Sequence, residues 1–203
     1  YGQGDANAFL YTVLLMIPIA LILIKIKGKK NEIYAKEGFL TVGLAWIVIS
    51  FFGALPFVFS GAIPSLVDAF FETSSGFTTT GASILTEIQS LPKGILFWRS
   101  FTHWVGGMGF LIFILALMPT FSGNTIHLLK AESPGPTPGK IVPKIKQTAK
   151  ILYAIYFVLT LIETIFLKSA GLSWYDSIIH ALGTAGTGGF SNMNASVAAF
   201  NNP

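Results

Sequence analysis

The sequence predicts an all-α, polytopic membrane protein built from repeated helix–re-entrant loop–helix units. Of its 203 residues, 52% are hydrophobic and only 11% are charged, whereas soluble domains average about 25% charged residues. Two lysine-rich segments separate long uncharged runs, and two Thr/Gly-rich segments follow the outer ends of such runs. The composition predicts the class of protein, the lysines predict its orientation, and the Thr/Gly segments predict the re-entrant loops.

Ten of the 13 basic residues lie in two clusters, at residues 25–36 and 130–150. The positive-inside rule places both clusters in the cytoplasm. Nucleic-acid binding is excluded, because the lysines flank apolar spans and lack an aromatic stacking platform. The chain has no cysteine, so neither disulfides nor thiolate metal sites are available.

Four predominantly apolar stretches are long enough to cross a bilayer, at residues 6–24, 38–59, about 95–118 and about 148–167. Two cytoplasmic clusters need an even number of crossings between them, which the second and third stretches supply. The segment between these two stretches must therefore enter and leave by the outer face. We expect an extra transmembrane helix in residues 1–30, a first helix–loop–helix repeat in 31–130, a Pro/Gly-rich cytoplasmic linker in 131–147, and the outer helix and loop of a second repeat in 148–203.

The first loop, residues 68–83, begins as a short helix and continues as an extended run. Three β-branched threonines, Thr78, Thr79 and Thr80, precede Gly81, which is free to adopt a positive φ. Irregular backbone at membrane depth is tolerated only where it is buried in protein or lines a water-filled cavity. A short helix followed by such a run is suited to presenting backbone carbonyls to a dehydrated cation.

The second loop, residues 176–191, aligns with the first without gaps at an offset of 108 residues. Identical residues occur at the helix start and in the extended run, where the chemistry would lie. Internal repeats of this kind are common in transport proteins. The identical pairs are Asp68/Asp176, Thr79/Thr187, Gly81/Gly189 and Ser83/Ser191.

Several motifs point to one family. They are Lys-Glu-Gly-Phe at 36–39, Ala-Leu-Pro-Phe at 54–57, Phe-Glu-Thr-Ser-Ser-Gly-Phe-Thr-Thr-Thr-Gly at 71–81, Trp-Arg-Ser at 98–100, Trp-Val-Gly-Gly-Met-Gly at 104–109 and Thr-Gly-Gly-Phe-Ser at 187–191. With these motifs the chain closely resembles the Trk/Ktr/HKT superfamily of potassium transporters, most nearly its bacterial TrkH/TrkG type. The resemblance covers nearly the whole chain.

The resemblance implies four helix–re-entrant pore loop–helix repeats around one pore, as in potassium channels, of which this chain carries about one and a half. Since the chain opens on Tyr1 and ends on Pro203, we expect it to be part of a longer protein. The implied function is potassium uptake across the bacterial inner membrane by a multi-pass protein. Potassium is the transported ion, and no organic cofactor is implied. Channel-like and proton- or sodium-coupled transport both stay open.

A glycine in each filter confers potassium selectivity in that family, and Gly81 and Gly189 match those glycines. The metal ligands expected for potassium are Thr79, Thr80, Thr187 and Gly188. The whole predicted filter comprises Thr78, Thr79, Thr80, Gly81, Gly186, Thr187, Gly188 and Gly189.

The expected partners also follow from the resemblance. They are a second copy of the protein in a homodimer, a cytosolic nucleotide-binding regulatory subunit of the TrkA type, and membrane lipid. No nucleic acid is expected.

Glu72 and Arg99 are expected to pair behind the filter and support it, with independent solvation at the outer interface as the alternative. Glu163 is expected to reach outward or to pair with Lys168. His103 and His180 are interpreted as packing residues that form local hydrogen bonds.

Two other functions are weaker fits. An intramembrane hydrolase using a loop serine with His103 or His180 lacks the sequence patterns of the known hydrolase motifs. A re-entrant-loop carrier for small anions is disfavoured because neither loop carries Arg or Lys. The sequence therefore predicts a transporter and no enzyme.

Overall fold

The structure, a computed structural model, describes residues 5–26, 35–109 and 145–200. These ranges contain helices and no strand, as the sequence predicts. Within these ranges, three helices are long and apolar enough to cross a membrane, namely Asp5–Lys25, Leu40–Phe59 and Ala149–Ser169. The helices are α1 (Asp5–Lys25), α2 (Ala35–Phe59), α3 (Leu66–Phe77), α4 (Lys93–Gly107), α5 (Ile145–Ser169) and α6 (Trp174–Ala185), followed by a short 3-10 helix (Ser196–Phe200).

The two repeats share one design, a long helix followed by a short one that packs against it. Helix α3 packs on α2, and α6 packs on α5. Both short helices have 12 residues, and their bounds differ by the 108 residues seen in the sequence. Each begins at a capping serine. The Ser65 and Ser173 hydroxyls accept from the amides of Asp68 and Asp176 at 3.3 and 3.1 Å, which satisfies one exposed donor of the first turn.

Contacts between helix starts define one end of the molecule. The Asp5 carboxylate accepts from the Gly94 amide at 3.0 Å, and the Tyr175 hydroxyl donates to the Lys93 carbonyl at 2.7 Å. The starts of α1, α4 and α6 therefore lie together. The ring of Tyr11, near the start of α1, is 6.4 Å from Phe59 at the end of α2. The segment from α2 to α4 thus begins and ends on one face, as expected of a re-entrant loop.

Helix α4 follows the first loop and packs against both short helices, α3 and α6. The Trp98 indole donates to the Gly53 carbonyl of α2 at 2.9 Å, while the Trp104 indole donates to Thr160 of α5 at 3.1 Å. The helix predicted over residues 95–118 ends earlier, at Gly107. The Gly109 amide turns back to Gly106 at 2.8 Å, and Gly109 has a φ of 72°, a conformation that glycine adopts without steric cost.

The rest of that predicted span, and the linker of residues 131–147, lie outside the described residues. The domain boundaries at residues 30, 130 and 147 therefore stay predictions.

A small apolar core lies where the end of α2 meets the starts of α3 and α4. Its buried members are Ala54, Phe57, Ile63, Ala69 and Ile95. Large apolar side chains on α1 and α5, by contrast, are exposed, among them Leu14 and Phe166. Exposed apolar faces suit helices whose surroundings are lipid or further protein helices.

The orientation can be tested with single cysteines in a cysteine-free background. Ser90 precedes α4 and is exposed, and Ile26 follows α1 beside the first lysine cluster and is also exposed. Because lysine-rich segments stay cytoplasmic, we expect an impermeant thiol reagent to label Ser90→Cys in intact cells. It should label Ile26→Cys only after the membrane is permeabilised. The reverse pattern would overturn the orientation.

Candidate functional site

The first loop turns its amide groups back to the helix that precedes it. The N–H groups of Thr78, Thr79 and Thr80 donate to carbonyls in the last turns of α3, at 2.9–3.0 Å. A trans peptide holds its N–H and C=O in opposite directions. The carbonyls of Thr78 and Thr79 therefore point away from α3. With the amide donors occupied, the loop presents oxygen atoms, which suits a cation.

The second loop is built in the same way. The N–H groups of Gly186, Thr187, Gly188 and Gly189 donate to carbonyls in the last turns of α6, at 2.8–3.2 Å. By the same peptide geometry, the carbonyls of Gly186, Thr187 and Gly188 point away from α6. The two segments identified from the sequence thus share a hydrogen-bonding pattern as well as a composition.

Backbone angles alternate in both loops. Thr79 and Gly81 have φ values of 55° and 77°, and their equivalents Thr187 and Gly189 have 59° and 77°. The residues between them keep negative φ. Threonine is rarely found in the left-handed region, where a residue with a Cβ pays roughly 1–2 kcal/mol. Strain at equivalent positions of two loops indicates a conformation that the surroundings enforce.

The two loops meet at Gly81 and Gly188. A Cβ added to Gly81 would overlap the carbonyl oxygen of Gly188. This carbonyl therefore points from the second loop towards the first. The structure thus brings the two predicted filter segments together.

Two of the three threonine hydroxyls in the first loop, those of Thr78 and Thr80, form local hydrogen bonds. The Thr78 hydroxyl donates to the Ser74 carbonyl at 2.7 Å. Because its proton is used there, the 2.8 Å contact between the hydroxyls of Thr78 and Thr80 is donated by Thr80. These bonds stiffen the run and leave its backbone carbonyls as the oxygen atoms that point away from α3.

Glu72 and Arg99 pair behind the loops, and both side chains are buried. Arg99 Nε donates to Glu72 Oε1 at 2.6 Å, and the side chains are 3% and 0% exposed. The same carboxylate accepts from the Ser83 hydroxyl at 2.9 Å and the Ile84 amide at 3.1 Å. Arg99 Nη1 donates to the Ser191 carbonyl at 3.0 Å. The pair therefore holds the chain beyond both glycines, and independent solvation is excluded.

His103 packs on the second loop. Its ring stacks on Phe190 at 3.8 Å, and the Phe190 amide donates to its Nδ1 at 3.4 Å. The Arg99 guanidinium also lies over the Phe190 ring, at 3.5 Å. A side chain at Gly188 would overlap the imidazole. His103 is therefore a packing residue, as the sequence predicts. Its contact with the second loop was not predicted from the sequence. The position of His103 one turn after Arg99 on α4 could have indicated that contact.

Among the described residues, His180 and Ser191 form a histidine–serine contact of the kind that the hydrolase alternative would need. Their Nε2 and Oγ atoms are 3.0 Å apart. The other imidazole nitrogen, however, lies 2.8 Å from the backbone carbonyl of Asp176. In a hydrolase triad, a carboxylate occupies this position and orients the base. Ser191 is buried, and its hydroxyl also accepts from the Met193 amide at 3.0 Å. The Ser191 hydroxyl therefore has a structural role in this site.

The expected Glu163–Lys168 pair does not form. Lys168 donates to the Leu172 carbonyl at 3.1 Å and lies over the Trp174 ring. Glu163 instead interacts with Thr184 and His180 on α6.

Comparison with known proteins gives a consistent result. The family model named TrkH, described as a cation transport protein, matches residues 5–203. The Trk system potassium uptake protein TrkH of Salmonella typhimurium is 42% identical over 207 residues, covering 100% of this chain and 43% of the relative. TrkH of Escherichia coli K12 gives the same identity and coverage. TrkG of Escherichia coli K12 is 31% identical over 173 residues, covering 84% of this chain and 36% of that protein.

A solved structure agrees with these relatives. The crystal structure of the potassium transporter TrkH from Vibrio parahaemolyticus matches with a TM-score of 0.76 and 35% identity, covering 98% of this chain and 40% of that one. The chain spans less than half the length of the relatives it matches.

The buried ion pair generates a stability prediction. Glu72→Gln removes the charge that compensates Arg99, and leaving a buried charge unpaired costs about 3–5 kcal/mol. We expect the purified variant, expressed from the full reading frame, to unfold at a clearly lower temperature than the parent. Glu87→Gln is the matched control, because Glu87 is an exposed carboxylate that accepts only a surface contact from Asn194. Equal melting temperatures for the two variants would contradict the role of the pair.

Proposed function

The chain belongs to the TrkH family of cation transport proteins, and on that premise we propose that it supplies two filter segments to a potassium uptake pathway across the cell membrane. The relatives described above are named potassium uptake proteins. The observation that carries the proposal is the shared geometry of the two loops, whose amides bond to their own helices while their carbonyls point away.

Neutral carbonyl oxygens suit a monovalent cation that must leave as readily as it enters. Rings of carboxylates would suit divalent ions such as calcium and would retain them. The C-terminal ends of α3 and α6 lead directly into the loops, and they add the partial negative charge of a helix end. The ion ligands proposed in the two segments are Thr79, Thr80, Thr187 and Gly188.

In this proposal the remaining filter residues shape the segments. Thr78 and Gly186 begin the two runs, and Gly81 and Gly189 end them with positive φ. Glu72 and Arg99 support the filter from behind, since their hydrogen bonds reach residues just beyond both glycines.

Two segments supply half of a ring, and the proposal requires two further repeats to close it. Apolar helices able to span a membrane agree with a multi-pass membrane subunit. We extend the proposal to assembly with a partner protein. A homodimer and a regulatory subunit of the TrkA type are the specific partners that the family resemblance suggests.

Gly81→Ser tests the function. The added Cβ strains a residue with a φ of 77° and overlaps the Gly188 carbonyl. The strain alone is roughly 1–2 kcal/mol, and each 1.4 kcal/mol is about tenfold in an equilibrium. We expect about a tenfold loss of potassium-over-sodium preference, measured by ion flux into proteoliposomes containing the protein from the full reading frame. Gly189→Ser should act in the same direction.

Gly61→Ser is the matched control. Gly61 lies in the turn after α2, has a φ of 74° and has open space around its Cβ position. The substitution imposes the same backbone strain outside the two Thr/Gly runs, so ion preference should not change. Unchanged preference in a well-expressed Gly81→Ser protein would remove the filter assignment.

A further inference from the structure

In the first repeat, a serine just beyond the predicted filter is held by the short helix. Ser83 lies two residues after Gly81. Its hydroxyl donates to Glu72 Oε1 at 2.9 Å and accepts from the Leu85 amide at 3.1 Å. The bond joins the middle of α3 to the chain that leaves the loop, so the ends of the Thr/Gly run are fixed relative to each other.

In the second repeat, the equivalent serine makes the same kind of contacts, but its partner on the short helix is a different residue. Ser191 lies two residues after Gly189, and its hydroxyl accepts from the Met193 amide at 3.0 Å. The residue 108 positions after Glu72 is His180, and its Nε2 lies 3.0 Å from the Ser191 hydroxyl oxygen. The position on the short helix is therefore equivalent, although a carboxylate has been replaced by an imidazole.

The hydrogen-bond partners assign the protons. His180 Nδ1 lies 2.8 Å from the Asp176 carbonyl. A carbonyl can only accept, so Nδ1 carries the proton and donates. In the neutral imidazole Nε2 then has a lone pair and accepts from the Ser191 hydroxyl. Both ring nitrogens are thus engaged, and the Phe200 ring covers the imidazole edge-on at 5.3 Å.

We propose that His180 is a positioning residue of the second filter segment, equivalent to Glu72 in the first. By accepting a hydrogen bond from the Ser191 hydroxyl, His180 fixes the chain two residues beyond Gly189 and so keeps the carbonyls of the segment in place. The inference rests on the proposed function, because it concerns how that filter is held.

Ser191 is held from two sides. Its hydroxyl bonds to His180 on α6, while its carbonyl accepts from Arg99 Nη1 on α4 at 3.0 Å. Both His180 and Ser191 are buried, at 5% and 6% exposure. Removing one partner would leave the other polar group unsatisfied in a buried site.

The imidazole forms fewer bonds than the carboxylate it replaces. Glu72 accepts from Arg99, Ser83 and Ile84. His180 has one acceptor nitrogen, which serves Ser191 alone. Asp176, in the first turn of α6, adds a second side-chain bond by accepting from the Asn192 amide group at 2.7 Å. Of these two bonds, the one from His180 reaches the residue nearer to Gly189, so its loss should affect the segment more directly.

The test compares His180→Leu with His180→Gln in the protein from the full reading frame. Leucine fills the space without an acceptor, whereas glutamine keeps one. A lost hydrogen bond of about 1 kcal/mol corresponds to about fivefold in an equilibrium. We expect about a fivefold lower potassium-over-sodium preference for His180→Leu and a near-parental value for His180→Gln. A role in packing alone would lower the preference of both variants equally or of neither, and either result would overturn the inference.

A double-mutant cycle isolates the bond itself. Ser191→Ala should lower the preference as His180→Leu does, and the double variant should lower it no further, because both substitutions break one interaction. Additive effects would overturn the inference. If His180→Leu does not accumulate in the membrane, Ser191→Ala and Ser191→Thr test the same hydrogen bond by changing its donor. Only the alanine variant should then lose preference, and equal values would refute the assignment.

The control for hydroxyl loss is Ser169→Ala. Ser169 is exposed at the end of α5, and its hydroxyl donates only to its own helix at Phe166. Its removal should not change ion preference. Gly81→Ser in the same assay separates the two claims. If it alters preference while His180→Leu does not, the inference fails and the function stands. If Gly81→Ser has no effect either, the proposed function fails.

Discussion

The arrangement of both loops depends on one buried cation. Arg99 is almost fully buried, and its guanidinium contacts the Glu72 carboxylate, the Ser191 carbonyl and the face of Phe190. An arginine buried without partners is strongly destabilising, because its charge has lost its hydration. The fold must therefore bring a carboxylate from α3 and a backbone oxygen from the second loop to the same point on α4. Two repeats distant in sequence are fixed to each other by this requirement.

Helix α4 can meet this requirement because it is anchored on both sides. Trp98 bonds to α2 and Trp104 to α5, so the helix is tied to the long helix of each repeat. Rigid helices hold functional groups more accurately than loops do. Two consecutive turns of α4 place Arg99 and His103 against the second loop, while Glu72 reaches the same helix from the first. The loops are thus irregular in conformation, yet each is supported by regular structure.

Much of this organisation was readable in the sequence, because it follows from local patterns. The first uncharged run predicted α1 to within a residue at each end, and the offset of 108 residues predicted that α3 and α6 are equivalent helices in the two repeats. Hydropathy could not show that α4 ends at Gly107, because the apolar run continues through the turn at Gly109. The sequence left the Glu72–Arg99 contact undecided, because residue types give no information on the distance between two side chains. The equivalence of Glu72 and His180 was hidden for another reason: their side chains differ, and only their bonds to Ser83 and Ser191 are alike.

In the proposed pathway, the return of the loop amides to their own helices also has a consequence for anions. Every N–H that bonds back to α3 or α6 is one that a chloride or phosphate ion cannot use. In the proposed filter, the runs at residues 78–81 and 186–189 would therefore disfavour negative ions through the orientation of their peptide dipoles, although neither run contains a charged side chain. A ring of acidic side chains would be neutralised by acidification and weakened by salt. Peptide dipoles do not titrate, so discrimination by the sign of charge should persist in acidic and saline surroundings alike.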